Sequence, residues 1–166
     1  MKKLIIMLGP NGVGKSTVSA ELLHLMDHSA YVDSDTLRMV NPNGSTSELA
    51  AVQKANILAV INNYLSSDLV NHVIFPYGLH GHRKKMLDDI IDDLSGKFDI
   101  VIHKIVLTCS EEENIRRMKH DGRDAQRIQR ALEFSRPMFD RTEYQTIDTT
   151  ELTPKETAQA ILDLLM

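Results

Sequence analysis

At 166 residues, with 42% hydrophobic and 25% charged side chains, the chain has the composition of one soluble domain with a real core and not of a disordered or fibrous protein. Its single cysteine, Cys109, excludes an internal disulfide and a cysteine-built zinc site. Nineteen basic residues against 23 acidic ones leave a formal charge of −4, which argues against a protein that coats nucleic acid non-specifically.

Met1-Lys2-Lys3 followed by Leu4 to Leu8 has the outline of a signal peptide, but the apolar run is short and stops at Gly9-Pro10. Its lack of alternation predicts a strand buried on both faces of a parallel sheet, and a cytoplasmic protein with no membrane partner is expected. Lys15 to Met26 reads as a helix with Val18, Leu22, Leu23, Leu25 and Met26 on its apolar side. Ala30-Tyr31-Val32 is a short second strand ending at Asp33. The loop Asn41-Pro42-Asn43-Gly44-Ser45 precedes a helix from about Glu48 to Leu65. A third strand is expected within Val70 to Tyr77, a helix over Arg83 to Leu94, and a long strand over Phe98 to Leu107. Ser110 caps the next helix, with Glu113 at its third position and acidic residues through its first turn. A fifth strand ends at Ile147, and Thr153-Pro154-Lys155-Glu156 opens the last helix as a capping box with proline at its first position. Strands alternating with helices predict a single α/β domain over residues 1–166, a three-layer sandwich around a parallel sheet. Ligands of such folds bind outside the carboxyl ends of the strands, and the chemistry-bearing clusters fall there.

The first cluster is Gly9-Pro10-Asn11-Gly12-Val13-Gly14-Lys15-Ser16-Thr17, a full match to G-x-x-x-x-G-K-[ST] between a strand and a helix. Glycines let successive N–H groups curl around a phosphate, and the following helix points its positive end at it. Lys15 reaches the β- and γ-phosphates, and the Ser16 hydroxyl is a ligand for Mg²⁺. The second cluster is Asp33-Ser34-Asp35 with Arg38 one turn later. One carboxylate can hold the water shell of the metal, for which Asp33 is the candidate. The other, Asp35, can take a proton from an attacking hydroxyl, and which of the two is the base stays open. Arg38, at i+3 from Asp35, is placed to hold a charged group of the acceptor.

Between Ser110 and Arg141 the chain carries Arg116, Arg117, Lys119, Arg123, Arg127, Arg130, Arg136 and Arg141. Arg116, Lys119 and Arg123 are spaced to share one helical face, and Arg123, Arg127 and Arg130 another beyond the break at His120-Asp121-Gly122. This predicts a lid over roughly 114–136, with Arg116 and Arg123 closing on a transferred phosphoryl group and Arg127 on the nucleotide. Arg117 and Arg136 read as solvated. At the end of strand three, Tyr77, His80 and Arg83 are candidates for the acceptor pocket, bounded by a helical region over roughly 36–68. No aspartate stands there to hold a metal's water shell, which favours Asp33 or Asp35 for that task and weakens motor or switch readings. No Asn-Lys-x-Asp guanine signature occurs either.

These residues resemble the small P-loop kinases, a group that includes shikimate, gluconate and adenylate kinases, chloramphenicol phosphotransferase, zeta-type toxins and phage polynucleotide kinase. The phosphate loop, Asp33-Ser34-Asp35-x-x-Arg38, the arginine-bearing segment and Ile147-Asp148-Thr149 carry the likeness. The resemblance implies a P-loop NTPase fold with strand order 2-3-1-4-5, ATP and Mg²⁺ as cofactors, and phosphoryl transfer to a hydroxyl or phosphate. It implies Asp35 as general base, Arg38 on an acceptor phosphate, Arg123 as the lid arginine, and Asp148 and Thr149 beside the adenine ring. Shikimate kinases carry a glycine triplet where this chain has Tyr77-Gly78-Leu79. The resulting expectation is a monomeric or weakly dimeric kinase acting on a small hydroxylated acceptor: a nucleoside, sugar acid or antibiotic-like metabolite. Two alternatives stand beside it, a 5′-end nucleic-acid kinase and an ATP-binding regulatory module.

Overall fold

The computed structural model describes residues 1–41, 46–140 and 142–166. Leu4 through Leu8 are completely buried in β1 (Lys2–Leu8), and successive side chains leave it in opposite directions. Leu4, Ile6 and Leu8 enter a core built with α2 (Ser47–Ser66) and α3 (Arg83–Ser95), while Ile5 and Met7 enter one built with α1 (Lys15–Leu25) and α6 (Pro154–Leu165). The helices meet the sheet through side chains spaced three or four residues apart: Ile57, Ile61 and Leu65 on α2, Ile90 and Leu94 on α3, Val18 and Leu22 on α1, Ala158, Ile161 and Leu165 on α6. Each such leucine or isoleucine contributes about 1.5–3 kcal/mol by leaving water. The unbroken apolar run in β1 is therefore the signature of the strand between two helical layers.

β2 (Ser29–Tyr31), β3 (His72–Pro76), β4 (Ile100–Thr108) and β5 (Gln145–Asp148) complete a five-stranded sheet in the order β2-β3-β1-β4-β5, as expected. Every pairing is parallel, with Leu4 opposite Val73 on one side and Ile102 on the other. The expected strand ends at Val32 and Tyr77 lie one residue past the regular strands, yet both N–H groups still join the ladder, donating to Ile74 and Met7 carbonyls at 2.9 Å.

α4 (Glu111–His120) is capped by Ser110, whose hydroxyl accepts from the Glu113 N–H at 3.2 Å. The predicted break follows, with Gly122 at φ 71°, and α5 (Ala125–Arg130) runs into a π-helical turn (Ala131–Ser135) and a 3₁₀ turn (Arg136–Phe139). α6 opens with the predicted capping box between Thr153 and Glu156. Thr36–Arg38 is a single 3₁₀ turn, so the expected α-helical relation between Asp35 and Arg38 does not form. The predicted loop at Pro42-Asn43-Gly44-Ser45 and the cation Arg141 lie outside the described residues. Among the described residues no helix is long and apolar enough to cross a membrane.

Candidate active site

The phosphate loop lies beyond the carboxyl end of β1, with Gly9, Gly12 and Gly14 at φ 138°, 81° and 103°. Gly9 and Gly12 are also sterically required. A Cβ on Gly9 would stand 2.3 Å from the Leu107 carbonyl oxygen, and one on Gly12 would stand 2.2 Å from Met118 Cγ. The loop is fastened from outside by side chains of the segment that follows β4. The Asn114 amide donates to the Asn11 carbonyl at 3.0 Å, Arg117 to the Val13 carbonyl at 2.8 Å, and the Asn11 N–H donates to Ser135 Oγ at 2.9 Å. Lys15 turns its ammonium onto the loop's own carbonyls, Gly9 at 2.8 Å and Pro10 at 2.9 Å. Burial, with Arg123 nearby, pushes that ammonium down to about 8.

A cavity of about 170 Å³ opens in front of the loop, and it collects residues from every strand-end cluster. Lys15, Ser16 and Thr17 line it from the loop, Asp33 and Asp35 from beyond β2, Tyr77, His80 and Arg83 from beyond β3, and Arg123 from the turn after α4. The Asp33 carboxylate accepts the Asp35 N–H at 2.8 Å. Arg83 is the deepest cation of the site, 4% exposed. It donates to Asp35 Oδ1 at 3.2 Å and Ser34 Oγ at 2.9 Å, and its guanidinium lies 4.6 Å from the centre of the Tyr77 ring. The Tyr77 hydroxyl is buried and has no partner among the described residues. Burial, then the charge of Arg83, hold His80 below its ordinary value. Tyr31, expected only as a strand residue, stands against Ser16 and Asp33, and burial pushes its phenol up.

Sequence reasoning placed several cations elsewhere. Arg116 is not at the phosphate cavity: it grips the Glu113 carboxylate at 2.6 and 2.7 Å and lines a separate cavity of about 790 Å³. It also shares no face with Arg123, because α4 ends at His120. Arg117, read as solvated, has a side chain only 21% exposed. Besides Val13 it bonds Glu113 at 2.6 Å, the Thr149 hydroxyl at 2.9 Å and the Thr149 carbonyl at 2.7 Å. Those guanidinium bonds, the Arg116 pair first among them, hold Glu113 down to about 2. Arg38 lines a third cavity, of about 320 Å³, together with Gln53, His80 and Arg83, and does not meet Asp35. Arg123 precedes α5 and so shares no helical face with Arg127 and Arg130, yet all three line a fourth cavity of about 520 Å³ with Phe134 and His80, and Arg127 reaches neither the phosphate cavity nor the large one. Buried Thr149 lines the large cavity, while the exposed Asp148 carboxylate shapes the following turn through Thr150. Asn114 and Met118 were not singled out from the sequence, and with Arg117 they share one helical face by their i, i+3, i+4 spacing.

The residues fit a nucleoside triphosphate with Mg²⁺. The large cavity and the phosphate cavity adjoin through Gly12, Gly14, Thr17 and Asp121, giving one compartment on each side of the loop. Ser16 and Asp33 line the phosphate cavity as two oxygen donors, and among the described residues no group of three or more His, Cys, Asp or Glu could hold a metal by itself. That donor set suits a hard cation whose remaining ligands are phosphate oxygens and water.

A family model described as an AAA domain matches residues 5–139. No curated protein matches this chain. Among solved structures, the tunicamycin resistance protein of Deinococcus radiodurans superposes with a TM-score of 0.73 at 16% identity, over 99% of this chain and 96% of that one. A gluconokinase from Sinorhizobium meliloti 1021 gives 0.60 at 18% identity, over 98% and 95%. The shikimate kinase of Acinetobacter baumannii, in complex with shikimate, gives 0.63 at 20% identity, over 99% and 94%. At these identities the likeness is one of fold.

Proposed function

This chain belongs to the AAA-domain family, and from that footing we propose that it is an ATP- and Mg²⁺-dependent kinase that phosphorylates a small hydroxylated acceptor. The observation that carries the reading is the gathering of Lys15, Ser16, Asp35 and Arg123 on one small cavity, with a larger compartment adjoining it across the phosphate loop. Two fold neighbours, a gluconokinase and a shikimate kinase by name, support it.

The loop N–H groups would cradle the phosphates, and Lys15 would exchange its bonds to the Gly9 and Pro10 carbonyls for phosphate oxygens. Ser16 and Asp33 would hold Mg²⁺ and its waters, which supplies charge neutralisation at the transferring group. Asp35 accepts the proton of the acceptor hydroxyl as the new O–P bond forms and ADP departs. Arg123 faces the same space and offsets negative charge on the phosphoryl group. Arg116 and Thr149 instead serve the larger compartment, which takes the nucleoside.

ATP consumption with Mg²⁺ is to be measured against gluconate, shikimate, nucleosides and 5′-hydroxyl oligonucleotides, on the wild type and on Asp35→Asn. The expected result is ADP release stimulated by one acceptor class in the wild type and reduced on the order of 10²–10⁴-fold in the variant. Full activity in Asp35→Asn would remove it as base. A second reading, phosphorylation of a nucleic-acid 5′ end, is favoured by one observation: the cavity of Arg123, Arg127, Arg130 and exposed Phe134 has no carboxylate in its lining. Stimulation by the oligonucleotide that falls steeply with salt would select it.

A further inference from the structure

Asp35 is the candidate base, yet its side chain is 75% exposed and stands beside a single 3₁₀ turn, where nothing in its own backbone holds the carboxylate in place. Its only side-chain partner among the described residues is Arg83, which is fixed from several directions. Ser34 Oγ takes one arm of the guanidinium, whose carbon stands over the Tyr77 ring, and Phe75 packs on Tyr77 with ring centres 5.2 Å apart. Ser34 is itself held, its carbonyl accepting from the buried Gln53 amide of α2 at 2.9 Å. Elements from both edges of the acceptor side, α2, α3 and the end of β3, therefore converge to aim one N–H of a buried cation at one carboxylate oxygen.

We infer that Arg83 is a positioning residue for the reaction: it holds the Asp35 carboxylate toward the acceptor hydroxyl and does not itself bind the acceptor. The inference rests on the reading of Asp35 as base. A guanidinium this deep needs a counter-charge, and Asp35 is the sole carboxylate bonded to it among the described residues. With Nη1 on Asp35 and Nη2 on Ser34, each arm already has a protein partner. The unpartnered Nε is fully buried. An arginine serving an acceptor anion would present a free fork to the cavity. The sequence-based expectation of Arg83 as an acceptor ligand is replaced by action through Asp35.

The test is a double-mutant cycle on phosphoryl transfer from ATP, using whichever of gluconate, shikimate, adenosine or a 5′-hydroxyl oligonucleotide turns over fastest, or water where none does. The variants are Arg83→Met, Asp35→Asn and the pair together, with Arg83→Lys added so that a charged, smaller cation is tested should the methionine variant fail to fold. A base displaced by about an ångström loses on the order of 10²-fold in rate, so kcat is expected to fall 10- to 100-fold in Arg83→Met and by less in Arg83→Lys. KM for the acceptor stays within about threefold, as for a group absent from ground-state binding. The double variant is expected to be no slower than Asp35→Asn alone, since Arg83 acts only through that carboxylate. Losses that multiply in the double variant, or a raised KM at unchanged kcat, would overturn the inference. Wild-type turnover in Asp35→Asn would instead overturn the assignment of the base, and this inference with it.

Discussion

Lys15 shows how a single residue can be held at odds with folding for the sake of a ligand. In the unfolded chain an ammonium keeps its proton to about 10.5, whereas in the loop it loses it near 8. The unfolded state binds more protons between those values, so this residue's penalty on folding is full below about 8 and vanishes as pH rises toward 10.5. A phosphate anion seated against Lys15 favours the charged form and reverses the effect. ATP binding at pH 8 is therefore expected to take up about half a proton at this site. Calorimetric enthalpies measured in buffers of different ionisation enthalpy check this, and enthalpies independent of the buffer would contradict it.

At the scale of elements, α4 does for the phosphate loop what a backing plate does for a hinge. Asn114, Arg117 and Met118 lie on its loop-facing side, two of them bonded to loop carbonyls and the third in contact with Gly12. The glycines of the loop consequently differ in kind. A Cβ on Gly14 would meet nothing nearer than Arg117 Nη1 at 3.9 Å, so Gly14→Ala carries only the conformational cost of a positive φ, about 1–3 kcal/mol. Gly12→Ala carries that cost and a collision with buried Met118 as well. Chemical denaturation should therefore rank Gly12→Ala as the less stable of the two by more than about 1 kcal/mol; equal midpoints would show that α4 yields.

The same comparison shows what the sequence made legible. The sheet order followed from the phosphate loop and its likeness, and helix ends from local chemistry such as the Thr153 box. The loop, Asp33, Asp35, Tyr77, His80, Arg83 and Arg123 gather on one cavity because the fold brings every strand end to the same edge. What failed was the sorting of arginines. Arg116 and Arg117 are neighbours on one helix and both bond Glu113, and periodicity alone does not say which helical face meets Thr149 and the loop and which meets solvent. That choice depends on where β5 and its following turn lie, which is a tertiary fact. Arg38 and Arg127 were placed by helical spacing, and each faces a cavity beside the one expected.

For the molecule as a whole, the loop is the point at which distant segments are tied together: α4 through Asn114 and Arg117, the π-helical turn through Ser135, the β5–α6 turn through the Arg117–Thr149 bonds. A ligand on the loop should therefore stabilise the entire domain cooperatively. A non-hydrolysable ATP analogue at a hundredfold excess over its Kd adds about 2.7 kcal/mol, which at about 2–4 °C per kcal/mol for a domain of this size raises Tm by about 5–11 °C. Lys15→Ala should abolish the shift; an undiminished shift in that variant would place the nucleotide elsewhere.

The phosphate loop also acts as a septum. Among the described residues the compartments on its two sides share Gly12, Gly14, Thr17 and Asp121 as lining, so the wall between them is a few residues thick. A single molecule that joined a nucleoside to an acceptor through a chain of phosphates would occupy both rooms at once. It would lose its freedom of motion once instead of twice, and the site would hold it as two ligands in one.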